Sequence, residues 1–168
     1  ACFGIDADIA NDDNFIHNRF IPRSMRYNAG VVYYFLTYKA RAMKIKVNDQ
    51  IIEKDFTTVV AGNAQFYGNG YHVTPNGDVK DGVMEVLLAD KVNKAAMAKL
   101  ILSMKDSSHL KNPAVQTFSC RKLEVSADQP FQANIDGEPL KASHFELEVL
   151  PKGFRIYLEY DFINRIIQ

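Results

Sequence analysis

The triplet Asp136-Gly137-Glu138 places one carboxylate on either side of a glycine, directly after the strand-like residues 133–135. Such a pair of carboxylates can accept a proton from a hydroxyl group or hold a divalent metal ion. Asp-Gly is also an ordinary two-residue hairpin turn, so the same residues have a purely structural interpretation. The spacing alone leaves both interpretations open.

A second acidic turn, with the sequence DVKDGV, occupies residues 78–83. Hard divalent cations prefer oxygen ligands, and a tight loop offers a carboxylate and backbone carbonyl groups together. Asp81 is the candidate carboxylate ligand, and groups at Asp78 and Val83 are the candidate further ligands. The segment is not an EF-hand, because the ladder of Asp and Asn residues is missing. A structural Asp-Gly turn before a strand remains the alternative.

Residues 62–70 (GNAQFYGNG) contain three glycines. They match neither a Walker A loop nor a dinucleotide-binding fingerprint, because the Lys-Ser/Thr pair and a following helix are missing. The plain interpretation is a surface loop. The functional interpretation is a loop that lines a cleft and offers Asn63 and Gln65 as hydrogen-bonding groups.

Two other kinds of active site are not expected. The four histidines are far apart, and none forms a His-x-x-x-His or Cys/His pair, so the sequence does not predict a zinc site. A Ser-His-Asp hydrolase would need a Gly-x-Ser-x-Gly elbow, which the sequence lacks.

The composition is typical of one globular domain with its own core, because 47% of the 168 residues are hydrophobic. The 20 basic and 20 acidic residues cancel, so no nucleic-acid partner is expected. Cys2 and Cys120 do not make a disulfide framework, which favours a cytoplasmic setting. No apolar run reaches the roughly 18 residues that a membrane span needs. The abrupt opening Ala1-Cys2-Phe3 predicts that the chain begins inside a longer protein.

Hydrophobic periodicity in the first half predicts a helix followed by strands. Apolar residues from Tyr27 to Ala42 have the spacing of one helix face. The period then changes to two, and Lys44–Val47 with Gln50–Glu53 predicts a hairpin. The β-branched run Phe56–Ala61 predicts a buried strand.

The second half reads as mostly strands. Val83–Ala89 predicts a strand, and Asn93 is a candidate cap for a helix that extends to Met104. The remaining predicted strands are Val115–Ser126, Phe131–Ile135, Phe145–Leu150 and Phe154–Tyr160. No βαβ alternation appears. The predicted fold class is therefore mainly β (α+β), an antiparallel β-sandwich or strongly bent sheet of about nine or ten short strands with about two covering helices.

The order of these pieces resembles the C-terminal domain of the diacylglycerol kinase-like lipid kinases, which are related to sphingosine kinases and NAD kinases. The motifs that carry the resemblance are, in chain order, FGIDADI at residues 3–9, VVAGN at 59–63, PNGDVKDGVMEV at 75–86 and IDGEP at 135–139. The similarity extends from about Phe3 to about Tyr160. It implies that residues 1–168 are a single C-terminal β-sandwich domain of a two-domain kinase.

The resemblance also implies which part of the enzyme the chain lacks. The family's N-terminal domain carries a Gly-Gly-Asp-Gly-Thr motif that binds most of the ATP, and no such motif occurs in this sequence. The reaction implied is phosphoryl transfer from ATP to a lipid hydroxyl, for example from ATP to diacylglycerol to give phosphatidic acid. The chain alone is then expected to be inactive.

Site residues follow from the resemblance by position. Asp136-Gly137-Glu138 matches the family's Asp-Gly-Glu motif, which implies that Glu138, or as second choice Asp136, is the general base. Residues 75–83 match the segment that holds a structural Mg²⁺, which implies Asp81, Asp78 and Val83 as its ligands. Asn63 is the implied nucleotide-binding residue. Lys80 stands where the family often has an acid, and a cation there is expected to weaken metal binding.

The expected partners are the lipid substrate, the protein's own N-terminal domain and a membrane surface that the enzyme visits transiently. A homodimer is left open. The chain is thus expected to be cytoplasmic and peripheral at the membrane. Two alternatives remain, namely a small-molecule kinase similar to NAD kinase, and a non-catalytic β-sandwich module whose acidic turns are only turns.

Overall fold

The computed structural model describes residues 1–11, 22, 32–67 and 70–153. In that part of the chain there are seven strands: β1 Cys2–Gly4, β2 Arg41–Val47, β3 Gln50–Gly62, β4 Met84–Asp90, β5 Val115–Cys120, β6 Lys122–Ile135 and β7 Glu138–Glu148. The helices are α1 Ile5–Ala10, α2 Lys94–Ser103 and a 3-10 helix Ser108–Lys111, and residues 32–37 are also helical. The predicted mainly β class is confirmed.

All seven strands belong to one antiparallel sheet, in which β1 and β2 occupy the same position between β3 and β6. Gly4 of β1 pairs with Thr58, and Arg41 of β2 pairs with Phe56, two residues earlier in β3. The two short strands therefore lie in line. The chain leaves the sheet after Gly4, forms α1, and returns at Arg41. On either side the sheet continues through β4 and β5, and through β7.

The sheet is bent because its two long strands are irregular in the middle. The register of β3 shifts between Phe56 and Thr58, and that of β6 shifts between Ser126 and Phe131. Bulges of this kind bend a strand and increase its twist. The bent sheet closes on one hydrophobic cluster, to which β1 to β6 all contribute. Its buried members are Phe3, Met43, Ile45, Val47, Phe56, Val59, Ala61, Met84, Val86, Leu88, Cys120, Leu123, Val125, Phe131 and Ala133.

A second, smaller hydrophobic cluster lies on the opposite face of β1, β3 and β4, where α2 covers the sheet. Asn93 caps α2 by accepting a hydrogen bond from the Ala96 N–H at 2.9 Å, which confirms the predicted cap. Leu100 of α2 and Met104, which directly follows the helix, are buried in this cluster. The covering helix is therefore held by a cap at one end and by apolar packing along its length.

The structure corrects several predicted boundaries. The runs predicted as Gln50–Glu53 and Phe56–Ala61 are one strand, β3, and the strand predicted as Phe145–Leu150 is β7, which begins at Glu138. The helix predicted from Tyr27 through Ala42 is wrong at its C-terminal end, because Ala42 already pairs with Asp55 in the sheet. Tertiary pairing on both sides of β2 overrides the local helical pattern. The strand predicted as Val115–Ser126 is divided, since β5 ends at Cys120 and β6 begins at Lys122. The predicted strand Phe154–Tyr160 and residues 27–31 of the predicted helix lie outside the described residues.

Gly4 ends β1 in a conformation that only glycine adopts readily, with φ at 91° and ψ at −142°. A Cβ atom at this position would lie 2.6 Å from the carbonyl oxygen of Thr57 and 3.0 Å from the Cα atom of Thr58. Both contacts are with the backbone of a central strand, which cannot move aside cheaply. The departure of the chain from the sheet therefore requires glycine here.

We expect Gly4→Ala to lower the free energy of unfolding by about 3 kcal/mol, because backbone strain and a steric clash act together. Gly137→Ala is the matched control. Gly137 also has a positive φ, of 97°, but no neighbouring atom lies within 4 Å of the added Cβ. Strain alone should then cost about 1 kcal/mol. Urea unfolding measures both values, and equal losses would contradict the steric part of the argument.

Candidate functional site

The Asp136-Gly137-Glu138 triplet forms the tip of the β6–β7 hairpin. Ile135 pairs with Glu138, so Asp136 and Gly137 are the two turn residues, with φ angles of 52° and 97°. Positive φ at both positions is typical of a type I′ turn, for which Asp-Gly is a favoured sequence. Asp136 and Glu138 are both exposed. The hairpin therefore presents two carboxylates to solvent from a rigid, well-paired strand end.

Asn134 anchors this turn to helix α1. The Gly137 N–H donates to Asn134 Oδ1 at 3.1 Å, and Asn134 Nδ2 donates to Asn11 Oδ1 at 2.8 Å. Asn11 follows α1, and its Nδ2 donates to the carbonyl oxygen of Ala133 at 2.9 Å. Asn134 is only 6% exposed, so these bonds form away from bulk water. The position of the acidic turn thus depends on where α1 ends.

The second acidic turn, residues 78–83, is ordered by its own carboxylates. Asp78 Oδ1 accepts a hydrogen bond from the Lys80 N–H, and Asp81 Oδ1 accepts one from the Val83 N–H, both at 2.9 Å. The Asp81 N–H donates to the Asp78 carbonyl oxygen at 3.3 Å. Asp78 and Asp81 are both exposed. The turn therefore collects carboxylate and carbonyl oxygens within a few residues.

A buried glutamate connects this turn to the sheet. Glu85, in β4, is 4% exposed and accepts hydrogen bonds from the Asn76 N–H at 2.8 Å and from Asn76 Nδ2 at 3.1 Å. These two bonds satisfy a carboxylate that would otherwise be costly to bury. They also fix the start of the loop that carries Asp78 and Asp81.

The donor set of the 78–83 turn suits a hard cation such as Mg²⁺, because all of its candidate ligands are oxygens. One carboxylate oxygen of Asp78 and one of Asp81 accept no hydrogen bond and form no ion pair among the described residues. The Lys80 ammonium forms no ion pair with either carboxylate there. In the same part of the chain, no three His, Cys, Asp or Glu side chains cluster. A cation would therefore rely on carbonyl groups and water as well.

Strand register brings the sequence-predicted site residues to one end of the sheet. Cys2 at the start of β1 pairs with both Asn134 and Val60, and Gly62 at the end of β3 pairs with Glu85 at the start of β4. The acidic hairpin tip, Asn63 and the 78–83 turn therefore lie at this same end. Three strand spacings, or roughly 14 Å, separate β6 from β4. Among the described residues, no hydrogen bond or ion pair joins the two acidic turns.

Asn63 lies directly after β3 and is exposed. The loop that follows it is tied back by Thr74, whose hydroxyl donates to the Ala64 carbonyl oxygen at 2.7 Å. The side-chain amide of Asn63 is thus available at the end of the sheet where the acidic turns lie. Residues 68 and 69 of the glycine-rich segment lie outside the described residues.

No role was predicted for Asp6, which the structure places beside β3. The Thr58 hydroxyl lies 2.7 Å from Asp6 Oδ2 and 3.1 Å from the carbonyl oxygen of Phe3. Burial raises the pKa of Asp6, and the hydrogen bond from Thr58 only partly opposes that effect. Burial, together with the charge of Asp6, also raises the pKa of the Cys2 thiol to about 11. This corner of the sheet therefore favours neutral side chains.

Asp8 belongs to a second polar cluster, two residues further along α1. Arg41 Nη2 lies 3.3 Å from Asp8 Oδ2, and the guanidinium lies over the Phe131 ring at 5.8 Å. Burial raises the pKa of Asp8 although Arg41 opposes the shift, and burial likewise raises the pKa of Tyr38. The Tyr38 hydroxyl and Arg41 Nη1 are buried and have no partner among the described residues.

These clusters escape sequence reasoning because their members are far apart in the chain. The acids in FGIDADI are visible in the sequence, but their partners Thr58 and Arg41 lie more than 30 residues away. Only the shared strand position of β1 and β2 brings them together.

No helix of the described residues is long and apolar enough to cross a membrane.

Comparison with known proteins gives consistent matches. A family model described as the "YegS C-terminal NAD kinase beta sandwich-like domain" matches residues 1–158. A "Probable lipid kinase YegS-like" from Serratia proteamaculans is 30% identical over 146 residues, which cover 82% of this chain and 46% of that protein. One of the same name from Xanthomonas campestris pv. campestris is 30% identical over 65% of this chain and 36% of that protein. The chain thus spans less than half the length of either relative.

A solved structure has a similar fold. A "putative diacylglycerol kinase" from Bacillus anthracis str. Sterne aligns with a TM-score of 0.63 at 16% identity, over 89% of this chain and 48% of that one. A second structure of such a protein from the same organism aligns with a TM-score of 0.58 over 73% of this chain and 42% of that one, at 17% identity. At these identities the likeness concerns the fold.

The pKa of Asp6 predicts how stability depends on pH. The folded-state pKa of Asp6 lies above the ordinary value of 3.8. The contribution of Asp6 to the free energy of unfolding is therefore complete below pH 3.8 and is lost as the pH rises through the folded-state pKa. Asp6→Asn removes the ionisation. We expect the variant to gain stability over the unmodified chain as the pH rises from about 4 to 8, by on the order of 1 kcal/mol.

Urea unfolding across this pH range measures the effect. Asp49→Asn, at an exposed position in the β2–β3 turn, is the control and should keep the pH profile of the unmodified chain. A variant at Asp6 that loses stability equally at every pH would show that the carboxylate is needed for its hydrogen bond alone.

Proposed function

Because the chain belongs to the family of YegS C-terminal NAD kinase beta sandwich-like domains, we propose that it is the C-terminal domain of a two-domain lipid kinase. The kinase transfers phosphate from ATP to a lipid hydroxyl, for example that of diacylglycerol. Relatives named as lipid kinases support the reaction class. The observation that carries the proposal is the rigid hairpin tip that presents Asp136 and Glu138 at the sheet end shared with the 78–83 turn.

In this proposal Glu138 is the general base, and Asp136 is the second candidate. The lipid hydroxyl gives its proton to the carboxylate as its oxygen attacks the γ-phosphorus of ATP, and ADP leaves with the bridging oxygen. A carboxylate must lie within hydrogen-bond reach of the acceptor oxygen to do this. Glu138 is fixed at the backbone by pairing with Ile135, while its exposed side chain can approach a substrate.

The N-terminal domain would supply most of the ATP site, and Asn63 would contact the nucleotide from this domain. Mg²⁺, when bound, neutralises charge and orders oxygen ligands. We assign its structural site to Asp81, Asp78 and Val83, whose turn offers the oxygen ligands described above. The proposed role of this ion is to fix the 78–83 turn next to the domain that holds the nucleotide.

The lipid acceptor implies a cytoplasmic enzyme that works at a membrane surface. Val32, Tyr33 and Leu36 are 57%, 49% and 66% exposed in the helical residues 32–37. Apolar side chains on one exposed helical segment are typical of contact with the interfacial region of a bilayer. These residues are the described part of the chain that best fits such contact.

Glu138→Gln in the whole kinase should lower kcat by about 100-fold to 10,000-fold, the usual range for loss of a general base. The amide keeps the size of the side chain but cannot accept the proton. ATP-dependent phosphorylation of diacylglycerol in detergent micelles measures the effect, and urea unfolding checks that the fold is intact.

The matched control is Glu146→Gln, which removes a carboxylate from the same strand, eight residues from Glu138, where Glu146 forms an ion pair with Lys122 at 2.8 Å. It should leave kcat within about twofold of the unmodified enzyme, since a surface ion pair contributes little. Unchanged turnover in Glu138→Gln would refute the assigned base. Phosphorylation of NAD in place of lipid would favour the NAD kinase-like alternative, and no ATP turnover at all would favour a binding module.

Mg²⁺ binding to the 78–83 turn is testable on the chain itself by thermal unfolding. At Mg²⁺ concentrations about 100-fold above Kd, a ligand that binds only the folded state should stabilise it by roughly 2.7 kcal/mol. Asp81→Asn should abolish this gain, because the amide oxygen carries no charge. Lys80→Ala is the contrasting variant and should keep or strengthen the gain, since it removes a nearby cation. An equal Mg²⁺ effect in all three chains would contradict the assignment.

A further inference from the structure

A cavity of about 400 Å³ opens where β4 ends and α2 begins. Both polar and apolar side chains line it, and three of them are lysines. The lining residues are Tyr38, Lys39, Ala40, Thr57, Lys91, Val92, Lys94 and Met97. The size suits a compact polar group rather than a whole lipid.

The structure fixes the positions of two of the lysines. Lys94 is the first residue of α2, and its ammonium donates to the Tyr38 carbonyl oxygen at 2.8 Å. Lys91 forms an ion pair with Asp55 at 2.9 Å. Lys39 is exposed and forms no ion pair or hydrogen bond among the described residues. One ammonium group is therefore free, and a second is held only by a neutral carbonyl group.

The charges around the cavity do not cancel. The carboxylates that pair with lysines here are Asp55 and Asp90, and Asp90 is taken by Lys54 at 2.7 Å, while Asp55 is taken by Lys91. Within the described part of the chain, Lys39 and Lys94 have no carboxylate partner, although the whole chain has a formal net charge of zero. Two lysines without a carboxylate partner among the described residues line one cavity and favour an anion, and Thr57 adds a polar residue to the lining.

The exposed apolar residues of the helical segment 32–37 lie directly before this cavity in the chain. The Tyr38 N–H donates to the Tyr34 carbonyl oxygen at 2.7 Å, so the cavity wall continues the last helical turn. Leu36, which is 66% exposed, is only two residues from Tyr38. An apolar edge next to excess lysines is the combination that recognises an anionic bilayer surface.

We propose that this cavity binds the phosphate group of an anionic phospholipid and docks the domain on a membrane that contains such lipids. Lys39 and Lys94 contact the phosphate, and Leu36 enters the interfacial region beside it. This inference rests on the proposed work at a lipid surface. The lipid that recruits the enzyme is then an anionic phospholipid, whereas the acceptor lipid is uncharged.

The cavity is separate from the acidic turns. It lies at the Asp90 end of β4, whereas the 78–83 turn enters the Met84 end, and six residue steps along a strand are roughly 20 Å. A lipid bound here is therefore an anchor and not the molecule that is phosphorylated. Since the proposed product is itself an anionic phospholipid, the same site would hold the enzyme at membranes where it has already acted.

The test is sedimentation of the chain with vesicles of phosphatidylcholine alone or of phosphatidylcholine mixed with phosphatidic acid, in the absence of ATP. We expect binding only to the mixed vesicles. The double variant Lys39→Gln/Lys94→Gln removes both charges and keeps a donor for the Tyr38 carbonyl. It should bind roughly 30-fold more weakly, because each lysine near an anionic surface is worth about fivefold.

The matched control is Lys99→Gln/Lys111→Gln, which removes two exposed lysines outside the cavity. It should bind within about twofold of the unmodified chain, and urea unfolding should show both doubles to be folded. Equal weakening by the two doubles would overturn the proposal in favour of general charge attraction. Binding of inorganic phosphate without binding of mixed vesicles would overturn the lipid source, and so would equal binding to both kinds of vesicle.

Kinase activity in detergent micelles separates this inference from the proposed function. The Lys39→Gln/Lys94→Gln variant of the whole kinase should retain its micellar activity and lose activity on mixed vesicles. If the unmodified kinase phosphorylates no lipid but still binds mixed vesicles, the proposed function is wrong and the docking site stands. If the unmodified kinase phosphorylates lipid but does not bind mixed vesicles, the proposed docking site is wrong.

Discussion

The strand position between β3 and β6 is filled by two short strands instead of one long one, and the rest of the structure depends on that arrangement. Gly4 makes it possible, because its backbone angles and the close approach of Thr57 exclude any side chain. The interruption creates room for α1 over one face of the sheet. The interruption also determines where α1 lies, and so it places Asp6 beside Thr58, Asp8 beside Arg41 and Asn11 beside Asn134.

The acidic residues divide into two groups with different physical environments. Asp6 and Asp8 lie against the sheet, where burial favours their neutral forms. Asp136 and Glu138 lie at an exposed hairpin tip, and Asp78 and Asp81 in an exposed turn. Only exposed carboxylates can be brought to a substrate or an ion without a large desolvation cost. The end of the sheet thus presents exposed carboxylates, while its flank holds buried acids that contact the backbone and side chains of neighbouring strands.

Sequence reasoning succeeded where the determining contacts are local. The Lys44–Glu53 hairpin, the Asn93 cap and the Asp136-Gly137 turn are each specified within about ten residues, and all three are present. It failed where pairing is long-range. Nothing near Ala42 indicates that β2 continues the line of β1, because that placement depends on Thr58 and Asn134. The Asp6–Thr58 and Asp8–Arg41 contacts follow from the same placement, so they could not be found either.

The three residues of β1 have a further consequence for the order in which the molecule folds. Local hairpins such as β2–β3 and β6–β7 close short loops and form early, whereas β1 pairs with residues almost 60 and more than 130 positions away. A strand with such distant partners is expected to insert last. The Asn134–Asn11 and Asp6–Thr58 contacts form only after that insertion. A brief local opening of β1 would therefore dismantle the corner of the candidate site and expose Phe3, while the other strands of the sheet stay paired.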